Sequence, residues 1–169
     1  MKERFSPNSV FVIDSSSWFQ IEGHPAHNQI LSVLVALIEA DRIKVPKEVL
    51  DEIELDDELF SWLKPYKQRL VENNRSDPVY FRLVGQITSD FPAMVGILST
   101  RNRADPWVIA TAAHKNGLPF ERVVVCDESV RRRANRKIPT ACAAYGIKCI
   151  TLLQMLEAES PDGLWNQDN

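Results

Sequence analysis

Four acidic residues, Asp14, Glu52, Asp105 and Glu128, stand far apart in the chain, each where a strand ends or a helix begins. Asp14 closes the apolar run Val10-Phe11-Val12-Ile13, and Glu52 lies in the helix that opens after Val45-Pro46. Asp105 precedes Pro106 at the head of an apolar helix, and Glu128 follows Val123-Val124-Val125-Cys126. In an open α/β sheet, residues just past the carboxyl ends of different strands converge on one crevice. Carboxylates gathered there repel one another and stay ionised when something positive sits between them. A hard divalent cation, Mg²⁺ or Mn²⁺, takes oxygen ligands and helps hold phosphate. The chemistry implied is metal-dependent phosphodiester cleavage.

The elements that must position these acids are legible as an alternation of strands and helices. Val10 to Ile13 is too short and too continuously apolar for a helix, and Arg122 to Cys126 is the clearest strand. Ile43 to Val45 and Ile147 to Ile150 complete the expected strands. Between them the pattern predicts a short helix capped by Ser15-Ser16-Ser17 and a longer one over His27 to Asp41. Further helices are expected over Pro46 to Leu55, Trp107 to Lys115, from Pro139 to Tyr145-Gly146, and over Leu152 to Ala158. Residues 56–100 are mostly helical by pattern, with Pro65 kinking or splitting the run from Glu58 to Asn73. Strands alternating with helices imply a parallel sheet of about four to five strands covered by helices on both faces. One domain over residues 1–158, a helical insert near 56–100 and a polar tail over 159–169 are the expected organisation.

Each acid alone has a simpler role. Asp14 and Asp105 suit helix N-caps, Glu52 a solvated helix flank, and Glu128 a cap or an exposed residue. It is their common position at one end of the sheet that points to chemistry. The net charge of −3 argues against a strongly basic nucleic-acid coat protein but not against a local phosphate site. Positive charge is clustered beside two of the acids, at Arg101 and Arg103 before Asp105 and at Arg131-Arg132-Arg133, Arg136 and Lys137 after Glu128. These arginines are candidate phosphate contacts. Trp62, Tyr66, Tyr80 and Phe81 can stack bases, although their helical spacing also fits a core. His24 and His27 flank Pro25, which favours a loop over a metal site. Three cysteines without metal-knuckle spacing, no signal-peptide pattern and no apolar stretch of membrane-spanning length lead to a cytoplasmic expectation.

In these motifs the chain resembles the PIN-domain proteins, among them the VapC-type toxin ribonucleases. The likeness rests on Asp14-Ser15-Ser16 after the first strand and on Pro46 with Glu52 six residues on. It rests further on Ala104-Asp105-Pro106-Trp107-Val108-Ile109-Ala110-Thr111-Ala112, and on Cys126-Asp127-Glu128 at the end of the later strand. The resemblance spans residues 9–157 and implies a three-layer α/β sandwich. It implies an endoribonuclease using Mg²⁺ or Mn²⁺ held by Asp14, Glu52 and Asp105 with Glu128 or Asp127, and Ser15 and Ser16 orienting Asp14 or binding a phosphate oxygen, beside their simpler role as helix caps. It also implies an RNA substrate, the toxin role of a toxin–antitoxin pair with an antitoxin partner, and a homodimer. Cys126 in place of the usual Thr, and Glu128 in place of the usual Asp, depart from the family's pattern. Those departures keep open an RNA-processing role or a PIN-like module that binds RNA or a partner without cutting. A receiver-like signalling domain would need an acidic pair at the first strand and a lysine after the last, where this chain has serines and Thr151-Leu152.

Overall fold

The computed structural model describes residues 4–94, 104–117, 119–128 and 138–163. Its framework is a parallel sheet of β1 (Val10–Ile13), β2 (Ile43–Lys44), β3 (Arg122–Val125) and β4 (Lys148–Ile150), in the spatial order β2-β1-β3-β4. β1 and β3 are buried along their whole length, as expected of central strands that carry β-branched and aromatic residues on both faces. They pair in register from Val10 opposite Arg122 to Ile13 opposite Val125, so their carboxyl ends finish side by side.

The first crossover contains α1 (Ser15–Glu22) and α2 (His27–Glu39). The second contains α3 (Lys47–Ile53), α4 (Asp57–Leu63), a 3₁₀ turn at Lys64–Tyr66, α5 (Lys67–Leu70), α6 (Pro78–Asp90), a second 3₁₀ turn at Pro92–Met94 and α7 (Asp105–Lys115). α8 (Ile138–Ala144) leads to β4, and α9 (Leu152–Glu159) follows it. α2 packs on β2 and α9, whereas α7 packs on β1, β3 and α8. Two helical layers therefore enclose the sheet, giving the three-layer α/β arrangement expected from the sequence. Trp18, Leu34 and Ile38 fill one side of the core, and Val108, Ile109 and Ala112 belong to the α7 side.

Local chemistry explains the boundaries. Pro65 does split the anticipated long helix, because it has no N–H to continue the ladder, and the chain resumes as α5. Asp77 caps α6 by accepting from Val79 N at 2.8 Å, with Pro78 in the first turn. Gly146 takes a positive φ of 66° after α8, where a Cβ would be strained, and turns the chain into β4. Thr151 and Gln154 form a reciprocal capping box at the start of α9. Arg42 then fastens α9 to the sheet edge through a two-pronged ion pair with Glu159, at 2.6 and 2.8 Å. No helix among the described residues is long and apolar enough to cross a membrane.

Candidate functional site

The spatial order of the strands locates the crevice. From β1 the chain moves outward to β2, then returns past β1 to β3 and continues to β4. The direction of travel reverses between β1 and β3, and the gap at their carboxyl ends is where an open α/β sheet binds ligands. Asp14 follows β1 directly and Cys126-Asp127-Glu128 follow β3. Asp14 N donates to Val125 O at 2.9 Å, which locks the two ends together.

Asp14 is the N-cap of α1, and its Oδ2 accepts from Ser16 N at 3.2 Å and from the Ser16 hydroxyl at 2.7 Å. The cap is therefore the aspartate itself rather than the serines after it. Only 2% of Asp14 is exposed, and its Oδ1 is buried with no hydrogen-bond partner. Burial pushes its pKa up, hydrogen bonds from Ser16 and Ser15 hold it down in part, and the negative charge of Asp127 raises it further; the net shift is upward.

Glu52 is half-buried on α3, and its Oε2 accepts from the Ser15 hydroxyl. Its pKa is raised by burial first; the Ser15 bond opposes this, the charge of Asp14 adds to it, and the Ala104 backbone N–H opposes it again. The same contacts bring β1, α3 and the start of α7 together. Asp105 is buried as the first residue of α7, while Ala104 occupies the cap position. Asp105 thus contributes a carboxylate to the first helical turn rather than an N-cap side chain.

The two candidates for the fourth acid are held differently. Asp127 Oδ2 accepts from the Ser17 hydroxyl and from Leu152 N at 3.1 Å, which ties the end of β3 to α1 and to the start of α9. Glu128 Oε2 accepts from Ile138 N at 3.1 Å, at the start of α8. Ser16 joins both sides, since its hydroxyl also receives Asp127 N at 3.1 Å. Ser17, fully buried, was missed as a site residue; the signal was the third of three consecutive serines, turned inward by helical rotation. Arg101, Arg103, Arg131, Arg132, Arg133, Arg136 and Lys137 lie outside the described residues.

Among the described residues, no three His, Cys, Asp or Glu side chains are close enough together to form a metal cage. The donor chemistry nevertheless fits Mg²⁺ or Mn²⁺: the groups are hard oxygens, and Asp14 Oδ1 is buried without a proton donor. His27 and Trp62 instead line a cleft of about 670 Å³ with Ile21, Leu31, Asp57 and Glu58, which none of the candidate acids borders.

Two expectations follow from this packing. Asp14 binds its proton more tightly folded than unfolded, so in metal-free protein its contribution favours the native state at low pH. That contribution is lost as pH rises from the unfolded carboxylate pKa through the elevated folded one. Comparing the pH dependence of urea unfolding in wild type and Asp14→Asn in EDTA tests this; identical slopes would contradict it. Cys126 is 4% exposed, its Sγ lies 3.8 Å from the Ser16 hydroxyl oxygen, and burial followed by the Asp14 charge pushes its thiol pKa strongly upward. In native protein, partly exposed Cys149 is expected to react with iodoacetamide well before buried Cys126 and Cys142, read by peptide mass mapping. Equal labelling rates would refute that order.

Residues 11–162 match the family described as Domain of unknown function (DUF4411). No curated protein and no solved structure matches the chain.

Proposed function

We propose that this chain, which belongs to the DUF4411 family, is a divalent-metal-dependent hydrolase that cuts RNA phosphodiester bonds. The observation that carries the reading is the buried Asp14 carboxylate at the point where the sheet reverses direction, with one oxygen unpartnered, the charge of Asp127 acting on it and its own charge acting on Glu52. A protein keeps a poorly compensated buried carboxylate at a cost, and a cation ligand is the simplest return for it. The PIN-domain resemblance supports the same reading.

Asp14, Glu52 and Asp105 are the residues that would hold Mg²⁺ or Mn²⁺, with Asp127 or Glu128 as a fourth carboxylate. Such an ion supplies Lewis acidity and a water of lowered pKa at the scissile phosphate. The protein's own part is positional. Ser16 fixes Asp14, Ser15 fixes Glu52, and Ser17 fixes Asp127, so one short helix sets three carboxylates. The resemblance further suggests a toxin paired with an antitoxin, and a homodimer, as its biological setting.

The test is cleavage of a mixed set of structured and single-stranded RNAs with Mn²⁺, with Mg²⁺ and with EDTA, beside Asp105→Asn prepared identically. Metal-dependent cutting that the substitution removes is the expected result. Cutting that survives it would mean contamination and would remove the proposal's support. One arrangement favours a second reading, an RNA- or partner-binding module that does not cut. Both candidates for the fourth acid already accept backbone amides, and Cys126 stands where a hydroxyl is usual. A metal-dependent rise in melting temperature without turnover would select it.

A further inference from the structure

Trp107 stands two residues after Asp105 on α7. Its ring meets Phe81 of α6 nearly edge-on, with centroids 5.7 Å apart and planes at 87°, and rests against buried Tyr80 at 5.9 Å. The Arg75 guanidinium lies 5.9 Å from the Trp107 ring centroid and forms an ion pair with Glu48. Glu48 precedes Glu52 by four residues on α3, so the two side chains share a face about one turn apart. Through Arg75 and Glu48 the aromatic group reaches α3 about one helical turn from Glu52, whereas Trp107 and Asp105, two positions apart, leave α7 on different sides.

Only part of this group is needed for packing. Tyr80 is buried, and its hydroxyl is within 2.9 Å of that of Thr111. Phe81, by contrast, is 44% exposed, its neighbour Val79 is also exposed, and about half of the Arg75 side chain faces solvent. An aromatic face beside an exposed guanidinium suits a flat apolar ring attached to an anion. Nucleobases offer that face when unstacked, and the phosphate supplies the anion. A base within a duplex is already stacked, so the occupant must be single-stranded.

We infer that Phe81, Trp107 and Arg75 form a stacking subsite for an unpaired RNA base on the Glu52 side of the crevice. This deepens the hydrolase reading and rests on it. Of the four aromatic residues singled out from sequence, it selects Phe81 for contact, leaves Tyr80 as its buried support, and adds Trp107.

The test uses the full chain in EDTA and two fluorescent single-stranded probes of equal length, an oligoadenylate and its abasic counterpart. Wild type is expected to bind the base-bearing probe at least about fivefold more tightly. Phe81→Leu and Trp107→Leu should abolish that preference while leaving abasic binding unchanged, and Trp62→Leu should keep it. Phe81→Leu preserves apolar bulk at an exposed position, so it decides the matter if Trp107→Leu unfolds. No preference in wild type, or a preference retained in Phe81→Leu, overturns the subsite. Self-association lost in Phe81→Leu with no base preference also overturns it, assigning the face to a second copy of the chain. Metal-dependent cleavage of the oligoadenylate, run in parallel, separates the two readings. Cleavage without base preference sinks only the subsite, and base preference without cleavage of any RNA sinks only the hydrolase.

Discussion

Asp14→Asn is expected to reduce metal-dependent RNA cleavage by on the order of a hundredfold or more, while metal-free protein melts at the same or a higher temperature. The two halves have one cause. Asn is as good an N-cap as Asp, so α1 keeps its start and the bonds from Ser16 keep an acceptor. What disappears is a charge that burial and Asp127 oppose. The same variant should lose most of any rise in melting temperature produced by Mn²⁺. Scanning calorimetry in EDTA and in Mn²⁺, beside the cleavage assay, reads all three effects. A variant that unfolds in EDTA would make Asp14 a structural residue, and one that cuts normally would remove it from the site.

The second large effect lies away from the crevice. Arg122 opens β3, yet it is only 6% exposed. Its guanidinium grips Glu72 with two bonds of 2.9 and 2.7 Å and donates to Thr111 O at 2.9 Å. Burial pushes the Glu72 pKa up, but hydrogen bonds from Arg122 and Asn74 and the charges of Arg122 and Lys115 outweigh it, and the net shift is downward. Glu72 therefore stabilises the fold above its unfolded pKa, and this contribution fades as pH falls through the lowered folded value. Removing one partner strands the other, so Arg122→Met or Glu72→Leu is expected to cost about 3–5 kcal/mol. Replacing both, as Arg122→Met with Glu72→Leu, should recover most of the loss. Urea denaturation of the three variants measures this; additive losses in the double variant would refute the coupling.

The strands and most helices were legible because their signals are local. Val10 to Ile13 and Arg122 to Val125 are unbroken apolar runs, and Pro65, Asp77-Pro78 and Gly146 act on their own backbone. That Asp14 and the end of β3 lie at one sheet end followed from the strand–helix alternation. What escaped notice depends on distant partners. Nothing local announces that Glu72 will meet Arg122 fifty residues later, or that Ser17 will bond Asp127. Nor does the sequence distinguish the two adjacent acids that follow β3. Asp127 reaches α1 and α9 and Glu128 reaches α8 only because those helices begin there.

The pairing of β1 with β3 also sets when the protein can act. Ser17 and Asp127 are 110 positions apart, and the two central strands that carry the crevice cannot meet until the intervening helices have been made. Closing so long a loop is slow compared with forming α2 or α6. During synthesis, an emerging chain that has completed β1, α1 and α2 still lacks the opposite wall of its own site. Whatever chemistry the crevice performs is therefore withheld until β3 has left the ribosome.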